Sequence, residues 1–110
     1  MKTYLVHISI YPLGSNEAQR ALTAIGAVWI KPTWIRCQNY HGAVLLEASV
    51  EASLPINYTE RLLTERLSIA VWQQLGRYAK VVIEISSDST CEQRSHELAE
   101  PDYLKLMRIH

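Results

Sequence analysis

The chain has 110 residues, 48% of them hydrophobic, and its 11 basic residues balance 11 acidic ones to a net charge of zero. That length holds one domain, and that hydrophobic share excludes overall disorder. Zero net charge argues against nucleic-acid binding by bulk electrostatics, and two cysteines, Cys37 and Cys91, are too few for a disulfide-stapled scaffold. The opening MKTYLVH lacks the pattern of a signal peptide, and no apolar run approaches transmembrane length. A cytoplasmic, soluble protein is the expectation. A core of this size is modest, so dimerisation is a natural way to add burial.

Residues 3–11 alternate, with Tyr4, Val6, Ile8 and Ile10 on one face and Leu5, His7, Ser9 and Tyr11 on the other. That period of two predicts a strand with one apolar face, ended by Pro12-Leu13-Gly14. Ser15 reads as a helix N-cap, with Glu17 in the first turn. Ala18, Ala21, Leu22 and Ile25 recur at helical spacing, and Gly26 suits the position after the end. The first helix is therefore expected over 15–25.

Residues 27–39 are rich in β-formers but contain Pro32, which cannot donate to a ladder. The segment reads as an edge strand, a bulged strand, or two short strands joined at Lys31-Pro32. A turn over 39–42 leads to a strand over 43–50, with Val44, Leu46, Ala48 and Val50 inward. After a loop containing Pro55, Asn57 or Thr59 caps a long helix reaching Leu75, with Gly76 just beyond it. Its apolar stripe is wide. Leu63, Leu67, Ala70 and Val71, with Gln74 or Leu75, form one face; Leu62, Ile69 and Trp72 form a second beside it. One helix on one sheet needs a single stripe, so the surplus implies a partner or cover from the tail. Residues 79–86 are the fourth strand, with Val81, Ile83 and Ile85 inward.

This order predicts an α+β domain over residues 1–86, a ferredoxin-like βαββαβ sandwich. Its four-stranded antiparallel sheet, in the order 4-1-3-2, carries two helices on one face and puts the Pro32 strand at an edge. Residues 87–110 are expected to be a C-terminal tail: a polar linker, loop or frayed helix to residue 97, then a short packed segment. In that segment Leu104, Leu106 and Ile109, or Tyr103 and Met107, pack down as a helix or an added strand.

The sheet face away from the helices displays His7, Glu47 and Glu84. With the first strand between the fourth and third, His7 is expected between the two carboxylates, which favour its charged form. An acid/base or binding site is one reading, and an ordinary solvated face or dimer interface is the other. A flat sheet offers no pocket, which favours the second. Trp29, Trp34 and Arg36 are expected on the edge strand. Together with Leu62, Ile69 and Trp72 they form the predicted interaction surface, because exposed aromatics are enriched at protein interfaces.

An RNA-recognition motif shares the topology but stacks bases on aromatics of its central strands. Here His7, Ser9, Leu45 and Glu47 hold those positions, and Glu47 repels phosphate. Cys37 with His41, and Cys91 with His96, do not assemble the four converging ligands of structural zinc. No nucleophile elbow, phosphate loop or dinucleotide fingerprint occurs. No metal and no cofactor are expected.

Residues 3–50, through TYLVHISI, AIGAV and TWIRC, loosely resemble a group of small ferredoxin-like proteins. The group includes the nuclease-like subunits of CRISPR adaptation, the virulence-associated toxin ribonucleases and an antitoxin ribonuclease. The resemblance implies an Asp at the end of the first strand that binds a catalytic metal. The corresponding stretch here, His7-Ile8-Ser9-Ile10, has no carboxylate, and the resemblance is not taken as membership. The expected function is therefore a non-enzymatic binding or regulatory protein. It acts as a homodimer or as a subunit docked on a larger assembly. The alternatives are a divergent metal-dependent nuclease or nucleic-acid binder, and a small-molecule sensor.

Overall fold

The computed structural model describes residues 3–53, 59–87 and 93–107. Among these, eight elements follow one another: β1 (Thr3–Leu13), α1 (Glu17–Val28), β2 (Trp34–Tyr40), β3 (Ala43–Ser53), α2 (Glu60–Leu75), β4 (Lys80–Ser87), β5 (Gln93–Glu97) and α3 (Glu100–Leu106). The five strands form one antiparallel sheet in the order β2-β3-β1-β4-β5. The fold is α+β, and the first four strands stand in the expected order. The expected count of four strands and two helices is corrected to five and three. Residues 55, 57, 91 and 109, which carried sequence expectations, lie outside the described residues.

Alternation sets the layers. Val6, Ile8 and Ile10 of β1, Leu46 and Val50 of β3, and Val81, Ile83 and Ile85 of β4 are buried together with the apolar stripes of α1 and α2. Among the described residues no helix packs on the opposite sheet face. α1 buries Ala18, Ala21, Ala24 and Ile25, close to the stripe read from the sequence. Its bounds differ from those expected. Asn16, not Ser15, is the N-cap, and its side chain makes no capping bond. Gly26 lies inside the helix, because tertiary packing against the sheet outweighs its weak propensity. The extra turn takes Ala27 and Val28 from the expected strand, so Pro32 precedes β2 and does not interrupt it. β1 likewise runs past Pro12 to Leu13, with its register against β3 shifting between Ile10 and Leu13.

α2 starts as predicted at Thr59, whose hydroxyl accepts from the Leu62 N–H at 3.0 Å. It ends at Gly76, which takes the left-handed φ of 75° that a helix C-terminus asks of glycine. Of its surplus stripe only Trp72 is covered from within the chain; Leu62 stays exposed and Ile69 half-buried. Trp72 is fully buried, donates its indole N–H to the Ala79 carbonyl at 2.8 Å, and packs edge-on against Tyr103 of α3 with ring centroids 5.2 Å apart. Tyr78 packs against both rings, tilted against Trp72 and edge-on to Tyr103.

The segment expected to be a tail therefore completes the fold. β5 pairs with β4 from Val82↔Glu97 to Ser86↔Gln93, and Arg94 and His96 both bond the Glu60 carboxylate at the start of α2. Leu98 is buried next to them. Asp102 accepts from the Ala99 N–H at 3.0 Å and secures the first turn of α3. Among the described residues no helix is long and apolar enough to cross a membrane.

This arrangement gives Tyr103 a measurable load. Tyr103→Ala removes the ring over Trp72, and a loss of about 1–3 kcal/mol of unfolding free energy is expected. Urea unfolding followed by circular dichroism measures it, and an unchanged midpoint would show that α3 does not support the core.

Candidate functional site

The open face is a grid of side chains fixed by register. One row runs Trp34, Ser49, His7, Glu84, Ser95 across β2, β3, β1, β4 and β5. The next runs Arg36, Glu47, Ser9, Val82, Glu97. His7 sits where these rows meet. Its Nδ1 lies 2.7 Å from the Ser49 hydroxyl, and its Nε2 lies 3.4 Å from Glu47 Oε2. Two guanidinium nitrogens of Arg36 donate to the other Glu47 oxygen, Oε1, with the Nε bond at 3.0 Å. The Arg36 guanidinium also stands 5.7 Å from the Trp34 ring centre, and the His7 ring 6.0 Å from it. The result is one connected cluster: Ser49, His7, Glu47, Arg36, Trp34.

The expected pairing of His7 between two carboxylates is half met. Glu47 is beside it. Glu84 is opposite His7 in register, but its carboxylate accepts from the Gln93 amide at 2.7 Å on β5, a strand the sequence did not predict. Glu47 itself is held below the usual carboxylate range, first by the Arg36 hydrogen bonds and then by the Arg36 charge and His7, against a burial penalty.

No protein-family model, no curated protein and no solved structure matches this chain.

Ser49, His7 and Glu47 are the components of a nucleophile relay, and Ser49 was not singled out from the sequence. Among the described residues the surroundings do not complete one. β1 and β3 are each paired on both sides, so their backbone N–H groups are spent in the ladder and form no oxyanion hole. A depression of about 230 Å³ on this face is lined by Ser9, Tyr11, Tyr40, Leu45, Lys80 and Val82 and does not include the cluster. Among the described residues no three His, Cys, Asp or Glu side chains stand close enough to hold a metal ion together.

The predicted interaction residues separate. Trp34 and Arg36 lie on β2, and all seven residues of that strand are exposed. Trp29 is at the end of α1 and packs partly against the core, so it is not on the strand with Trp34. Trp72 is corrected from surface to core. Leu62 is exposed and Ile69 half-buried on α2, on the opposite side of the molecule from the open sheet face. Tyr40, read from the sequence as a turn residue, ends β2 and is half exposed, 50%.

Acid pH tests the electrostatics. Glu47 and Glu60 are both held below the usual range, Glu60 first by its hydrogen bond from Arg94. A carboxylate with a lowered folded pKa binds fewer protons when folded than when unfolded. Its stabilisation is therefore complete above the unfolded value, about 4.3, and is lost as pH falls through the folded value. The urea midpoint is expected to stay level from neutral pH to about 5 and then to fall. Glu60→Gln is expected to flatten part of that acid limb, and an equally steep limb in the variant would remove Glu60 from the account.

Proposed function

We propose that this chain is a small binding protein of ferredoxin-like core, extended by β5 and α3, that acts through protein–protein contact along β2 and the adjoining open sheet face. The observation that carries the reading is β2 itself. It is the outer strand of the sheet, all seven of its residues are exposed, and three are large apolar or aromatic side chains: Trp34 and Ile35 at 45% and Tyr40 at 50%. Edge strands of monomers are ordinarily blunted by short length, charge or proline. β2 has none of these along its length except Arg36, and that charge is drawn inward onto Glu47. Aromatic side chains with an arginine beside them are the residue types that dominate interface energetics.

Catalysis is the weaker reading. The only carboxylate in the cluster is already paired with Arg36, and the depression lined by Ser9, Tyr11 and Tyr40 does not take in the cluster. The test uses the intact chain as bait, cross-linked and recovered with whatever it binds, including itself. A stoichiometric bound protein that is lost with Trp34→Ala is the expected result. Purified chain is incubated in parallel with labelled RNA and DNA, with and without Mg²⁺. Cleavage abolished by Glu47→Ala would replace this reading with that of a divergent nuclease.

A further inference from the structure

We infer that the partner is a second copy of this chain, joined through β2 in an antiparallel pairing centred on Cys37, so that the two five-stranded sheets continue as one. The inference rests on reading β2 as the contact strand and names its occupant.

The two edges of the sheet are unequal. β5 is five residues long, and its sequence QRSHE is wholly polar, with Arg94 and His96 tied to Glu60 and with Glu97 near Lys80. Short and without an apolar side chain, it offers a further strand little to bury. β2 is longer, exposes Trp34, Ile35 and Tyr40, and among the described residues has no neighbour on its outer side. A contact of β2 with β5 of another copy would be head-to-tail and would not close. A β2–β2 contact is two-fold and stops at a dimer. The chain's net charge of zero opposes neither approach.

Register follows from cross-strand chemistry. A slip of one residue turns open-face side chains toward the helix layer of the partner, so only steps of two keep the pleat. A two-fold axis at Arg36 sets two guanidinium groups opposite each other, and like charges directly opposed are destabilising. An axis at Gln38 places Trp34 opposite Gly42, which has no side chain and lies in the turn after β2. The axis at Cys37 opposes Trp34 to Tyr40 on both sides of the dimer and Arg36 to the Gln38 amide. It creates two aromatic pairs and no charge clash. On the helix side, Ile35 of each copy borders a groove of about 370 Å³ between α1 and β2, with Leu22 and Pro32 in its wall. The approaching copy covers that groove's open end.

Cys37 is exposed and free, and in this register it meets its own equivalent, so it reports the axis. The experiment uses the full chain with Cys91→Ser, mild oxidation, non-reducing electrophoresis and sedimentation velocity. The expected result is a dimer in sedimentation that becomes covalent through Cys37. Cys37→Ser keeps the dimer but loses the covalent link, and Trp34→Ala raises the dimer dissociation constant about tenfold by removing both aromatic pairs. Covalent dimers that form through Gln38→Cys, in a chain lacking both native cysteines, and not through Cys37 overturn the register. Assemblies that grow beyond the dimer overturn the closed contact. A chain that stays monomeric yet still captures a different protein through Trp34 overturns self-pairing and leaves the interaction reading in place. A dimer insensitive to Trp34→Ala and unlinked by Cys37 overturns both.

Discussion

β1 is hydrogen-bonded on both sides, to β3 and to β4, and its alternate residues Val6, Ile8 and Ile10 are buried completely beneath the helices. Every other placement depends on that double pairing. It fixes which parity of each strand faces the core, because a slip of one residue would carry three aliphatic side chains into water and His7 and Ser9 into the helix layer. At roughly 1.5–3 kcal/mol for each buried aliphatic side chain, such a slip costs far more than any surface contact returns. The polar cluster is thus a consequence of the core. His7 meets Ser49 and Glu47 because Ile8 and Ala48 must be buried opposite each other.

The chain uses its own C-terminal segment to solve one problem and leaves another open. α2 carries more apolar surface than one sheet face can cover. Tyr78 and Tyr103 enclose Trp72, and β5 brings Leu98 beside them. The polar side of the same strand is anchored by Arg94 and His96 on Glu60. At the far side of the sheet nothing comparable follows β2. Exposed apolar surface remains at Leu62 on the helix layer, where the sequence suggested it, and is added at Trp34, Ile35 and Tyr40 on the β2 edge.

Regular alternation made β1, β3 and β4 legible, since a half-buried strand states its own parity. The N- and C-caps of α2 were equally readable, because Thr59 and Gly76 act through local backbone chemistry. Three features were not. Gly26 and Pro32 are strong local punctuation, yet packing of α1 carried the helix past Gly26 and let Pro32 sit buried ahead of β2. QRSHE has no apolar alternation, because its inward residues Arg94 and His96 meet a carboxylate and not a hydrocarbon core. In the candidate site, parity placed His7 and Glu47 on one face from the sequence. Their contact with Ser49, and the loss of Glu84 to Gln93, depended on register and on a strand that only the fold reveals.

The cluster that invited a reading as an acid/base site bears on the edge strand in a different way. A charge on an edge strand ordinarily discourages pairing because a new neighbour would have to desolvate it. Arg36 is the only ionised side chain on β2, and both of its hydrogen bonds run to Glu47 on the inner neighbour. Its guanidinium is already paired and lies beside the Trp34 ring, so a strand approaching from outside meets backbone, indole and phenol. His7 completes the arrangement by engaging the second Glu47 oxygen and leaving the first to Arg36. The ion pair that occupies Glu47 is also the one that draws the single charge of β2 inward.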